Sequence, residues 1–132
     1  MTRRIGRRRF LGIAGAVGLG AVVAACQSGP SRADVDLGAL RGIFTDLDGL
    51  DAIGRRALDA PGVGSDARAI ERALRPDGAG PHWLQRTSAE ALRRRLEQEI
   101  SGDFERGRVV DVADWRLSLT EARVAALFHL AA

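Results

Sequence analysis

Residues 87–104 read TSAEALRRRLEQEISGDF, and this stretch decides the predicted fold class. Its large apolar residues fall on every fourth position, the spacing of one face of an α-helix, at Leu92, Leu96, Ile100 and Phe104. Thr87-Ser88-Ala89-Glu90 before them fits a capping box, in which a hydroxyl and a carboxylate satisfy free backbone amides. Gly107 after them is a suitable stop. The stretch therefore predicts an amphipathic helix.

Three more helical segments are predicted around it. An apolar stripe with helical spacing runs through residues 35–58, but glycines interrupt it. We therefore expect either two helices that meet near Asp48-Gly49 or one helix that packs closely through its glycines. A short helix begins at Ser65 and stops at Pro76. The last helix opens with a second capping box, Ser118-Leu119-Thr120-Glu121.

The rest of the domain contains loops and little else. The stretch GAGPHWL at 78–84 reads as a loop, and Val109, Val110 and Val112 as a short extended piece. The prediction is an all-α domain over residues 37–132, a small bundle of about four helices that follows a cleaved signal peptide. The last helix is expected to bury one side, which carries Val124, Leu127, Phe128 and Ala131.

Charge is distributed unevenly along the chain. All 20 basic residues are arginines, and five of them lie among the first nine residues, whereas none of the 17 acidic residues precedes Asp34. Subtracting those five leaves 15 arginines against 17 acids, a formal charge of −2 for the rest of the chain. A nucleic-acid binder needs a basic stripe across its domain. We therefore expect no nucleic-acid partner.

The leader has the layout of an export signal, with arginines first, then an apolar stretch, then small residues. The apolar stretch Phe10–Ala25 has 16 residues, fewer than the roughly 20 that a membrane-spanning helix needs. Arg7-Arg8-Arg9-Phe10-Leu11 matches the order Arg-Arg-x-Phe-Leu, and the leader resembles a bacterial twin-arginine signal. The resemblance implies that residues 1–25 are a signal peptide. An uncleaved N-terminal anchor is the alternative.

The single cysteine of the chain closes this leader. Val23-Ala24-Ala25-Cys26 resembles the lipobox of bacterial lipoproteins, in which the chain is cut before the cysteine and acyl chains are attached there. The resemblance implies lipidation of Cys26, and stable anchoring then takes more than one acyl chain, at about 0.8 kcal/mol per buried methylene. A free cysteine after an ordinary signal is the alternative.

Residues 26–36 contain Gly29 and Pro30 among polar residues and predict a lipidated tether. The expected location is the periplasmic side of the cell envelope, where the lipid on Cys26 contacts the membrane. In lipoproteins of this kind Gln27, rather than an aspartate, after the cysteine slightly favours the outer membrane.

No residues have a catalytic, cofactor or metal-ligand spacing. His82 and His129 are the only histidines. The run Thr45–Asp51 resembles a calcium loop, but placing Gly49 at loop position 6 puts Phe44 at the first ligand position. One cysteine excludes an intramolecular disulfide and a multi-cysteine metal site. We therefore expect no enzyme, no cofactor and no metal.

The two tryptophans are candidates for contact with a partner. Trp83 lies in the predicted loop beside His82, and we expect it to be an exposed anchor because tryptophan is enriched at binding hot spots. Trp115 is expected to cover the start of the last helix. The charged run Arg93–Glu99 is interpreted as a solvated helix face with the i,i+4 ion pairs Glu90–Arg94, Arg93–Glu97 and Arg95–Glu99. A docking surface for an acidic partner is the alternative.

The C-terminal segment Asp103–Leu130 resembles the tails of small bacterial proteins exported by the twin-arginine route. Their pattern runs roughly Asp-Phe, Gly-Arg, two valines, then Trp-x-Leu-Ser-x-Thr-Glu-Ala-Arg, and no activity is attached to it. The matching positions here are Asp103, Phe104, Gly107, Arg108, Trp115, Leu117, Ser118, Thr120, Glu121, Ala122 and Arg123. Capping does not explain Trp115 and Arg123, so both are candidates for an interface.

The export route leads to a functional prediction. The twin-arginine system moves folded proteins, commonly cofactor enzymes, and this chain has no cofactor motif of its own. We predict a small accessory or anchoring subunit of a larger exported enzyme, with an oxidoreductase, in particular a dehydrogenase, as the favoured class. Trp83, Trp115 and Arg123 would face that partner. The alternative is a stand-alone periplasmic binding or envelope-structural lipoprotein.

Overall fold

The computed structural model of the protein describes residues 35–131. The predicted signal motif at 7–11, Cys26 and most of the predicted tether lie outside this range. The described part contains six helices and two strands. In chain order these are α1 Leu40–Ile43, α2 Leu47–Ala57, α3 Ala67–Leu74, α4 Trp83–Arg86, α5 Ala89–Glu105, β1 Val109–Val112, β2 Trp115–Ser118 and α6 Leu119–Ala131.

The predicted helical character is confirmed, but a pure bundle of four helices is wrong. α4 lies in the stretch predicted as a loop, and β1 and β2 form an antiparallel hairpin in which Val112 pairs with Trp115. Two-residue hairpin turns usually carry Asn-Gly or Asp-Gly, whereas here Ala113 adopts the required positive φ, 53°. The hairpin was missed because its turn lacks that signature.

The first apolar segment forms two helices that meet at residues 44–46, slightly before the predicted position. Asp46 is the N-cap of α2, and its side chain accepts a hydrogen bond from the Gly49 N–H at 2.9 Å. Gly54 lies where α2 packs on α6, and a β-carbon there would overlap the carbonyl group of Ala125. Each of the two alternatives thus holds in part, because the segment breaks and α2 also packs closely through a glycine.

The two predicted capping boxes differ in outcome. At α6 the box is complete, since Ser118 Oγ accepts the Glu121 N–H at 3.0 Å and Glu121 Oε2 accepts the Ser118 N–H at 2.8 Å. At α5 the N-cap is Ser88, which accepts the Ala91 N–H at 3.2 Å. The Thr87 hydroxyl instead donates to a backbone carbonyl of α4 at 2.6 Å. The reciprocal box predicted for α5 is therefore replaced by a single cap.

α6 is the central helix of the domain. α2, α3, α5 and both strands pack on it, and every side chain from Ala122 to Phe128 is buried except Arg123, which is half-buried. The expectation of one buried side was too narrow, because a helix surrounded by other elements is apolar on all sides. Within residues 35–131, no helix combines the length and the apolar character needed to cross a bilayer.

Candidate functional site

An apolar groove of about 410 Å³ lies between α2 and α5. Its inner lining includes Val124 and Ala125 of α6, the helix on which both α2 and α5 pack. The walls are formed by side chains from α2, α5, β2 and the end of α1, chiefly Phe44, Leu50, Ile53, Leu96, Ile100 and Leu117. The groove therefore exists because α2 and α5 both rest on α6 and leave a gap between them.

Two contacts hold the α2 side of this groove in place. Gly54 lets α2 approach the backbone of α6 at Ala125. The ring of Phe44, which lines the groove, packs edge-on against the ring of Phe128, with centroids 5.6 Å apart and planes at 83°. Edge-to-face pairs of this kind add about 0.5–1.5 kcal/mol beyond simple burial.

The apolar stripe of α5 leaves the core gradually. Leu92 is fully buried and Leu96 is 7% exposed, whereas Ile100 is half-buried and Phe104 is 48% exposed. Residues four apart lie on the same face of a helix. Ile100 forms part of the groove wall, and Phe104 therefore extends that wall into solvent.

Three large hydrophobic side chains are exposed among residues 35–131. They are Leu47, Phe104 and Trp115, the last of them 64% exposed. Phe104 and Trp115 share the faces of α5 and β2 that carry the groove residues Ile100 and Leu117, so each continues a groove wall. Leu47 instead lines a separate cavity at the start of α2. Apolar side chains clustered around a groove mark an interaction site more strongly than scattered ones.

Charged side chains of both signs line the groove beside this apolar surface. Arg93 and Glu97 lie one turn apart on α5, and Glu121 belongs to α6. Arg93 and Glu97 are not paired with each other in the described structure, although the sequence predicted it. The other two predicted pairs form, at 2.9 Å for Glu90–Arg94 and 3.5 Å for Arg95–Glu99. Two opposite charges thus remain available to an occupant of the groove.

Trp83 is not the exposed anchor that the sequence predicted. It is 5% exposed, and its Nε1–H donates to Glu71 Oε1 at 2.5 Å. Glu71 is itself buried and also accepts two hydrogen bonds from Arg75, at 2.7 and 3.1 Å. These bonds raise the pKa of the Arg75 guanidinium. The prediction failed because α4, which was taken for a loop, turns the indole inwards towards a buried carboxylate.

Trp115 was expected to cover the start of α6 and is exposed instead. It begins β2, and its partner across the hairpin is Val112, which is 3% exposed. Val112 therefore supplies the buried apolar contact of this part of the hairpin. Trp115 stays accessible on the face of β2 that carries the groove residue Leu117.

Arg123 is held within the molecule. Its Nη2 donates to the carbonyl oxygen of Gly62 at 2.9 Å, which joins α6 to the loop after α2. Burial lowers the pKa of Arg123, and its Nε–H has no hydrogen-bond partner within the described residues. The contact seen here is structural, and contact with another protein stays a prediction.

Sequence reasoning missed the groove because its lining comes from elements far apart in the chain. The available signal was weak, since only Phe104, at the end of an apolar stripe just before the Gly107 stop, pointed to it. Within residues 35–131, no group of three or more His, Cys, Asp or Glu side chains is placed to hold a metal ion. His129 Nδ1 instead lies 2.9 Å from Asp51 Oδ1 and joins α6 to α2.

No family model, curated protein or solved structure matches the chain. The function of the groove, and of the two exposed aromatic side chains beside it, therefore rests on their own geometry.

Proposed function

We propose that the protein is an exported lipoprotein that acts as a small accessory or anchoring subunit of a larger exported protein. An oxidoreductase, in particular a dehydrogenase, is the favoured class of partner. The Arg7-Arg8 leader and Cys26 support export and anchoring. The apolar groove supports binding, rather than catalysis, as the task of the folded domain.

One observation carries the proposal of a protein partner. Phe104 and Trp115 each extend a wall of the groove into solvent. A small ligand inside the groove would leave both side chains in water, whereas a protein segment lying across the groove would cover them. Buried aromatic anchors of this kind dominate the binding energy of protein interfaces.

The occupant that fits best is an amphipathic helix of the partner. The groove lies between two helices and rests on a third, so a further helix can pack there through apolar residues spaced i, i+3 or i+4, and i+7. Arg93 and Glu97 at the groove would pair with polar residues beside that apolar stripe and select its orientation.

The stand-alone binding lipoprotein is the second candidate. A volume of about 410 Å³ falls within the range of roughly 300–1,000 Å³ of small-molecule sites, so an apolar ligand fits the groove alone. This alternative gives Phe104 and Trp115 no role.

The test removes the exposed aromatics without touching the core. The double variant Phe104→Ser/Trp115→Ser should unfold within about 0.5 kcal/mol of wild type, because surface changes are nearly neutral. It should bind the partner roughly 30-fold or more weakly, since a hot spot contributes about 2 kcal/mol or more. The measurement is recovery of the stoichiometric partner from native membranes in mild detergent.

Gln98→Ser is the matched control, because Gln98 is exposed on α5 and lies about half a turn away from Leu96. It should retain the partner. A wild-type protein that purifies alone, or a double variant that keeps its partner, would contradict the proposal. Binding of a small molecule that both variants retain would favour the second candidate instead.

A further inference from the structure

A second cavity, of about 320 Å³, lies between α3, α4 and the first described residues. Its lining includes the three arginines Arg68, Arg72 and Arg75, the imidazole of His82 and the amide of Gln85. Val35 and Asp36 line its remaining side. We call it the arginine pocket.

The carboxylates at this pocket are already engaged within the chain. Glu71 is held by Arg75 and by the buried indole, and Asp36 accepts a backbone N–H at 2.8 Å. Arg68 and Arg72, by contrast, form no ion pair with any residue that the structure describes. They lie one turn apart on α3, so their side chains share one face of the helix. Three arginines against two carboxylates give the pocket one net positive charge, carried by the side of α3 that faces it.

We infer that the arginine pocket binds a phosphate group. Guanidinium groups offer pairs of N–H donors that match phosphate oxygens, and Arg68 and Arg72 supply two such groups at one cavity. The amide of Gln85 provides a further neutral donor. Glu71 does not compete, because both of its oxygens accept hydrogen bonds from Arg75 or the indole, and Asp36 Oδ1 accepts a backbone N–H.

The phosphate group can belong to a lipid headgroup or to a soluble phosphate compound. Eight residues separate Cys26 from Val35 at the pocket, which allows at most about 30 Å of extended chain. Anchoring at Cys26 would therefore keep the pocket within reach of the headgroups. The lipid source rests on the proposed anchoring, whereas phosphate binding itself does not.

The experiment compares two full-length variants that lose the same charge. Arg68→Gln/Arg72→Gln alters the pocket, and Arg55→Gln/Arg56→Gln alters two exposed arginines of α2 that do not line it. One arm measures the Tm in inorganic phosphate against chloride at equal ionic strength. The other arm measures binding to phosphatidylglycerol vesicles against phosphatidylcholine vesicles.

The pocket variant should either lose the rise in Tm that phosphate produces or bind phosphatidylglycerol vesicles about tenfold or more weakly. The control variant should keep the rise in Tm and bind the vesicles within about twofold of wild type. A loss confined to the phosphate arm identifies a soluble phosphate compound, and one confined to the vesicle arm identifies a headgroup. Equal losses in both variants, or no response in either arm, would overturn the inference. Phe104→Ser/Trp115→Ser should behave like the control, which separates this site from partner binding.

Discussion

The carboxylate of Glu71 is buried and therefore needs hydrogen-bond donors from the side chains around it. An ionised group taken out of water is tolerated only when it is paired and hydrogen-bonded, and here Trp83 Nε1–H and Arg75 supply those bonds. This requirement explains why the tryptophan expected on the surface lies inside. It also makes the indole N–H, rather than only the ring area, important for stability.

The first prediction concerns that indole. Trp83→Phe keeps an aromatic ring but removes a donor to the buried Glu71, so the free energy of unfolding should fall by about 1–3 kcal/mol. Trp115→Phe is the matched control, because Trp115 is exposed and should change stability by less than about 0.5 kcal/mol. Urea unfolding followed by far-UV circular dichroism measures both, and equal stabilities would contradict the network.

The three interface candidates differ in how much the sequence reveals about each residue. A tryptophan in a Gly/Pro loop and one near a capping box look alike in the sequence. Whether each tryptophan is exposed depends on whether its indole has a buried hydrogen-bond partner. For Trp83 that partner is Glu71, twelve residues earlier. Arg123 likewise bonds to Gly62, which lies sixty-one residues earlier. Such contacts are set by packing, not by local pattern.

At the scale of elements, local signals predicted helix ends well. The complete capping box at α6 and the stop at Gly107 both follow from neighbouring residues. Gly107 adopts φ 69°, and its N–H donates to Phe104, while the Arg108 N–H donates to Asp103, the bonds of a Schellman motif. These interactions span three to five residues, so the sequence contains all their partners.

The second prediction concerns the contact between two elements. Gly54→Ala would force α2 away from α6 at Ala125, and overpacking of this kind typically lowers stability by about 1–3 kcal/mol. Gly42→Ala is the matched control, since nothing lies within 4 Å of a β-carbon there. It should be neutral or stabilising by up to about 1 kcal/mol.

Urea unfolding again separates the two glycines. If Gly54→Ala were as stable as Gly42→Ala, α2 would not approach α6 as closely as described. Because α2 forms one side of the groove, Gly54→Ala should also weaken partner binding, whereas Gly42→Ala should not.

At the scale of the whole molecule, the groove, the arginine pocket and the leader suggest a division of tasks. The proposed lipid on Cys26 would hold the protein at the membrane, and the groove would hold the partner. The proposed anchor and the groove belong to different parts of the chain, so each can be removed separately.

The third prediction removes the anchor. Cys26→Ser should shift the protein from the membrane fraction to the soluble periplasmic fraction, because the acyl chains supply about 0.8 kcal/mol per buried methylene. Ser28→Ala, two residues further on, should leave the distribution unchanged. Fractionation with mass spectrometry of the N-terminus measures both. Membrane retention of Cys26→Ser would favour an uncleaved anchor and contradict lipidation.

The sequence by itself determined the helical class, the longest helix, the second capping box and the stop at Gly107. Those features depend on residues a few positions apart, whose periodicity and hydrogen-bonding groups are visible in the chain. Only the tertiary structure decided that α6 is buried all round, that Trp83 is inside while Trp115 is outside, and that a groove opens between α2 and α5. The physical reason is that burial depends on which distant surfaces meet, and local pattern does not specify this.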